Sequence, residues 1–199
     1  DPVENGETIQ LTIDINAQEQ IFASFEGNAG SAAAVHPTTG EVLALVSSPS
    51  YDPIQFVYGI TQANWDKLNN DPNKPFINRF AATYAPGSVI KPITGAIGLK
   101  NGSIKHGEGL TINGLRWGKK GWGEHKVTRV STSAGPVDLR DALIRSDNIY
   151  FAMKAVEMGN KKLINGLHEF GFDEKIHFKI AINKSQVSSS SSLDEIKEA

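Results

Sequence analysis

The sequence predicts an α+β fold, a mostly antiparallel sheet with helices packed on it. Three observations carry this. Strand-like apolar segments fall within the first fifty residues, and a hairpin signal joins two of them. Helical stretches dominate from Ser88 onward, three of them closed by a Gly or Asn-Gly breaker. Strands early and helices late place helices on an antiparallel sheet.

Element by element, Ile9-Gln-Leu-Thr-Ile13 alternates with period two and predicts a strand. Asp14 can cap a helix over Ile15–Glu26, with Gly27 as its stop. Ser31–His36 and Glu41–Ser47 are apolar segments joined by Pro37-Thr-Thr-Gly40, which predicts a hairpin. The continuous run Val42–Val46 fits a strand covered on both faces. Ser47–Pro53, with two prolines, predicts loop, and Thr61–Asn70 a short polar helix ended by Asp71-Pro72. Ser88–Lys100 predicts an apolar helix stopped by Asn101-Gly102. Residues 101–136 are rich in Gly, Ser and Lys but hold Trp117 and Trp122, so short strands and loops are expected. Asp138 opens a helix, with Asp141 three residues on as an approximate capping box. Asn148–Met158 and Asn160–Phe170 are two further helices, punctuated by Gly159 and Gly171, and the serine run 188–192 is a flexible loop.

Composition narrows the function. The net charge is −2 and no basic run is long enough to track a phosphate backbone, so no nucleic-acid partner is expected. With no cysteine among 199 residues, a disulfide scaffold, a Cys-based zinc site and a thiol nucleophile are excluded. The five histidines show no metal-ligand spacing, so neither metal nor cofactor is expected. No apolar run approaches the ~20 residues of a membrane span. The start, Asp1-Pro-Val-Glu-Asn-Gly-Glu7, resembles the exit from a linker (residues 1–8) and suggests a piece of a longer chain.

The candidate chemistry lies in Tyr84-Ala-Pro-Gly-Ser88-Val-Ile-Lys91-Pro92. Proline is tolerated in a helix only in its first turn, so Pro92 places the helix start close to Ser88. Lys91 then projects from the same face as Ser88, about one turn on. A serine hydroxyl needs a base, and a lysine serves only if burial or a neighbouring cation lowers its pKa. Val89, Ile90, Ile93 and Ile97 could supply part of an apolar pocket. With 16 serines and 15 lysines, roughly one Ser-x-x-Lys is expected by chance, so the turn and helix-start placement carry the weight.

Arg145-Ser146-Asp147-Asn148-Ile-Tyr-Phe151 is the second element, and roughly 0.06 Ser-Asp-Asn triplets are expected by chance. It falls between two helices. The Ser146 hydroxyl can relay a proton, and the Asn148 amide can hold a substrate carbonyl or the lysine itself. The plainer reading is that Ser146 and Asn148 cap the next helix.

Ser-x-x-Lys followed by Ser-Asp-Asn resembles penicillin-binding proteins and serine β-lactamases. Ile9–Asp14, Ala34–Val46, Pro86-Gly-Ser88 and Ser146-Asp-Asn148 resemble the transpeptidase domain of class B penicillin-binding proteins. Ser48-Pro-Ser-Tyr-Asp52, Trp122-Gly123 and Val127-Thr-Arg129 are similar to the low-affinity methicillin-resistance type. The resemblance implies that Ser88 is acylated by the D-Ala-D-Ala end of a peptidoglycan stem peptide or by a β-lactam. Lys91 would be the base, Ser146 the relay to the leaving group, and Asn148 the residue that orients the substrate amide. Asp147 would take a structural role in a buried pair, and the Ser88 amide would form half an oxyanion hole, a kind of donor typically worth ~2.7–4 kcal/mol. It implies no cofactor, and it places the parent protein on the outer face of the bacterial cytoplasmic membrane, anchored by a segment outside this chain.

The family's Lys-Thr/Ser-Gly strand is absent from the sequence. Residues 9–199 are therefore expected to be the N-terminal part of the domain, with the C-terminal strands missing and little turnover by this chain alone. A class D-like β-lactamase or sensor, and an inactive binding fragment, are the alternatives.

Overall fold

The computed structural model describes residues 6, 8–178 and 180–187. The serine run 188–192 and nearly all of the linker 1–8 lie outside them. The fold is α+β and divides into two compact units, one running to Thr83 and taking in 178–183, the other spanning 84–177 with the residues from Lys184.

In the first unit, helix α1 (Ile15–Ser24) is capped by Asp14, whose Oδ1 accepts from the amides of Asn16 and Ala17. The hairpin follows, β1 (Gly30–Val35) antiparallel to β2 (Val42–Ser48), with Ala33 opposite Leu45 and a register irregularity at Ala34/Val35. Of β2, Ala44, Val46 and Ser48 are buried while the alternate residues are half-buried, so one face is covered more fully than the other.

The expected strand at Ile9–Ile13 does not form. The free edge of β2 is met instead by a mixed set of groups: Thr12 Oγ1 donates to Val42 O (2.6 Å) and the Asp14 amide to Leu43 O (2.9 Å). The Gln18 side chain then closes on both backbone groups of Leu45, at 2.7 and 2.8 Å. Helix α1 begins too early for a backbone ladder to continue, and its glutamine stands in for a strand residue. Ile9 and Leu11 are left 79% and 69% exposed, without the covered face that period-two alternation requires.

Beyond the hairpin lie α2 (Ile54–Val57), which follows the proline loop, and α3 (Gln62–Asn69), the short polar helix expected at 61–70, with Thr61 as its cap. Tyr51, Phe56, Trp65 and Phe76 pack on one another, mostly edge to face, with centroids 5.1 to 6.4 Å apart.

The second unit carries the helices. A 3₁₀ turn (Gly87–Ile90) leads into α4 (Lys91–Asn101), which Gly102 ends in the left-handed conformation. Ser88 thus sits in the tight turn before the helix rather than within it, because Pro92 fixes the start of α4. A short ribbon pairs β3 (Arg116–Trp117) with β4 (Val127–Thr128). Trp122 packs edge-on against Trp117, which in turn lies on the core, so the tryptophans stabilise this loop region by packing. Helices α5 (Leu139–Ile144), α6 (Asn148–Met158) and α7 (Asn160–Glu169) follow. Asp138 caps α5 through Asp141 N, but Asp141 pairs forward with Arg145 instead of completing a capping box.

One core cluster gathers Ile104, Ile112, Val137, Ala142, Ile149, Tyr150 and Phe151, and a second gathers Ile97, Met158 and Leu167. Gly166 allows α7 to close on α4: a Cβ there would clash with Ile97 Cγ2. No described helix is long and apolar enough to cross a membrane.

Candidate active site

Three short segments of the second unit build the site. The Pro86-Gly87 turn delivers Ser88, and Gly87 takes φ +57°, which a residue with a Cβ adopts only under strain. Ser88 is exposed. The first turn of α4 delivers Lys91, which is only 7% exposed. The α5–α6 connection delivers Ser146 and Asn148, both exposed. Ser146 itself has φ +53°, a left-handed conformation uncommon outside glycine and often associated with functional turns.

These four side chains converge. Lys91 Nζ lies 3.0 Å from Ser88 Oγ, 2.8 Å from both Ser146 Oγ and Ser146 O, and 2.5 Å from Asn148 Oδ1. Ser146 Oγ is in turn 2.9 Å from Ser88 Oγ. Four acceptors therefore surround an amine with at most three protons. If the amine is neutral, its two N–H groups can go to Asn148 Oδ1 and Ser146 O, leaving the lone pair to accept from the Ser88 hydroxyl. The plainer reading of the triplet is not what the fold uses, since the cap of α6 is Asp147, whose Oδ1 accepts from Ile149 N and Tyr150 N.

The amine is held below its ordinary pKa. Burial is the larger cause, and the negative charge of Asp147 opposes it. The apolar contribution to that burial differs from expectation. Val89 points away and is 74% exposed, because the 3₁₀ turn rotates it out of the helix face. Phe151, which closes the second sequence element and had no role assigned to it, is buried with its ring centroid 5.9 Å from Lys91 Nζ. Ile90, Ile93 and Ile97 belong to the second core cluster.

Two further residues escaped the sequence reading of the site. Thr128 O accepts from Asn148 Nδ2 at 3.0 Å, which aims the amide oxygen at Lys91. Arg129, noted only as part of a resembling stretch, is the buried partner of Asp147 at 2.8 Å. Neither carries a sequence signal that separates it from an ordinary strand residue. Among the described residues no group of three or more metal-ligating side chains is placed to hold a metal.

The arrangement sets an exposed serine hydroxyl against a desolvated lysine amine, with a second hydroxyl within hydrogen-bond reach of both. A family model, the penicillin-binding protein transpeptidase domain, matches residues 30–197. Penicillin-binding protein 3 of Bacillus subtilis (strain 168) is 50% identical over 184 residues, covering 92% of this chain and 28% of that protein. The peptidoglycan D,D-transpeptidase MrdA of Escherichia coli (strain K12) is 32% identical, covering 92% of this chain and 29% of its own length. Among solved structures, the penicillin G acyl-enzyme complex of penicillin-binding protein A from M. tuberculosis superposes with a TM-score of 0.81 at 29% identity, over 91% of this chain and 44% of that one. Pseudomonas aeruginosa PBP2 in complex with WCK 5153 gives a TM-score of 0.79 at 29% identity, over 94% and 42%. The chain thus spans less than a third of the length of these curated relatives.

Proposed function

The chain belongs to the penicillin-binding protein transpeptidase domain family, and on that premise we propose that it is the N-terminal part of a serine D,D-transpeptidase that cross-links peptidoglycan. The observation that carries this reading is the Lys91 amine, buried and lowered in pKa, 3.0 Å from an exposed Ser88 hydroxyl.

Ser88 Oγ attacks the carbonyl between the two terminal D-alanines of a stem peptide, and its proton passes to Lys91 Nζ. As the carbon–nitrogen bond breaks, that proton moves through Ser146 Oγ, 2.8 Å away, to the amine of the departing D-alanine. An acceptor amine then attacks the ester and the protons return by the same route, restoring Ser88. A β-lactam follows the first half, its ring amide standing for the D-Ala-D-Ala bond. The Ser88 amide contributes half of the oxyanion hole. Asn148 orients the substrate amide in addition to holding Lys91.

The parent protein would work on the outer face of the bacterial cytoplasmic membrane, where stem peptides are presented, with residues 9–199 as part of one catalytic domain. The β-lactamase and sensor readings use the same acylation step and differ in the fate of the ester. The names of the matched relatives support the transpeptidase.

Competition tests the substrate class. Labelling by a fluorescent penicillin should slow when a peptide ending in D-Ala-D-Ala is present, and a peptide ending in L-Ala-L-Ala should have no effect. Equal effects of the two peptides would contradict the reading.

A further inference from the structure

Arg129 is a buried side chain of the second unit whose polar atoms are all engaged. Its guanidinium is 1% exposed and donates in three directions: Nη1 to Asp147 Oδ2 at 2.8 Å, Nη2 to Ile112 O at 2.9 Å, and Nε to Gly114 O at 2.9 Å. Its own amide donates to Leu115 O at 3.1 Å. One residue therefore ties segment 112–115 and the end of β4 to the 146–148 loop. The grip on that loop is double. Asp147 is held directly, and the carbonyl of Thr128, the residue before Arg129, holds Asn148 Nδ2.

We propose that Arg129 is a positioning residue for the Ser88 site, its buried pair with Asp147 holding the 146–148 loop against Lys91 and offsetting the Asp147 charge beside that site. The proposal rests on the functional reading above and extends it to a residue that touches neither substrate nor reacting atoms.

The electrostatics follow from the placement. Asp147 is the charge that raises the Lys91 pKa against burial. The other acidic groups on helices packed against α4 are taken up elsewhere, Asp141 by Arg145, Glu157 by Lys154 and Glu169 by Lys100. Removing the Arg129 charge exposes Lys91 to an unopposed Asp147 and favours the ammonium. Removing the Asp147 charge does the reverse.

The test reads the Lys91 titration directly, from its Cε shift by NMR, beside the penicillin acylation rate against pH. Asp147→Asn should move the Lys91 midpoint down, and Arg129→Met should move it up, each by about 1 unit. The acid limb of acylation should follow in both. The neutral double variant R129M/D147N should return close to the wild-type midpoint while acylating at least tenfold more slowly, because the loop has lost its anchor. A residue that only stabilises the fold would lower rates without moving midpoints in opposite directions. Midpoints that stay fixed, or move the same way in both single variants, overturn the proposal. Should a single variant fail to fold, the double variant decides: a wild-type acylation rate in it overturns the positioning role. The NMR midpoint is read whether or not penicillin reacts, so a chain that is never acylated sinks the functional reading while the pairing is still judged on its own.

Discussion

At the scale of single residues, the site depends on one displaced proton equilibrium. Lys91 can act as a base only to the extent that burial outweighs Asp147, and burial is the larger of the two, so the amine is held below its ordinary value. Acylation of Ser88 should therefore rise with pH through a midpoint below the ordinary lysine value of 10.5. Lys91→Met, which keeps the bulk and removes the base, should slow penicillin acylation by roughly 10²–10⁴-fold. A loss smaller than tenfold, in rapid-mixing measurements, would remove Lys91 from the mechanism. The same shift has a stability sign. Between the lowered value and 10.5 the unfolded chain binds the extra proton, so the Lys91 contribution to folding becomes less unfavourable as pH rises through that window.

Elements bring these residues together by economical local devices. Gln18 of α1 closes both backbone groups of Leu45, so Gln18→Ala leaves a donor and an acceptor of β2 without protein partners. Because the pair is partly buried, a loss near the low end of ~1–3 kcal/mol is expected from denaturant melts. Gly166 lets α7 approach α4, and Gly166→Ala drives a methyl group against Ile97. Overpacking of this kind costs about 1–3 kcal/mol, and an unchanged melting midpoint would show that the helices can part without cost. Helix boundaries were readable because punctuation marks them: Asp14, Thr61 and Asp138 are caps, and Gly102 and Gly159 are ends. The segment Ile9–Ile13 misled because alternation reports a preference for a pleated surface and cannot say that a neighbour exists. The outward turn of Val89 was hidden for a related reason, since Ser88–Lys100 reads as one helix until Pro92 is seen to confine the tight turn before it.

For the whole molecule, the second titration of note is that of Tyr150. Burial, with Asp138, Glu108 and Glu157 nearby, pushes its phenol up to about 12. Its hydroxyl is buried without a hydrogen-bond partner among the described residues. The folded chain holds that proton more tightly than the unfolded one, so stability should fall between pH ~10 and about 12. Tyr150→Phe should flatten this alkaline fall and cost little at neutral pH, since it removes an unsatisfied buried group. A steeper alkaline fall in the variant would contradict the assignment. The fold class, the hairpin and the four convergent residues Ser88, Lys91, Ser146 and Asn148 were legible in the sequence, because turn chemistry and two motifs mark them. Arg129, Thr128 and Phe151 were not, because their parts depend on which segments the fold brings side by side. The central claim, that Ser88 is the nucleophile, is tested most directly by incubating the chain with penicillin and locating the adduct by peptide mass spectrometry. The account predicts the mass of one penicillin on the peptide holding Ser88, and none in Ser88→Ala. An adduct on another residue, or one that persists in a folded Ser88→Ala chain, would contradict it.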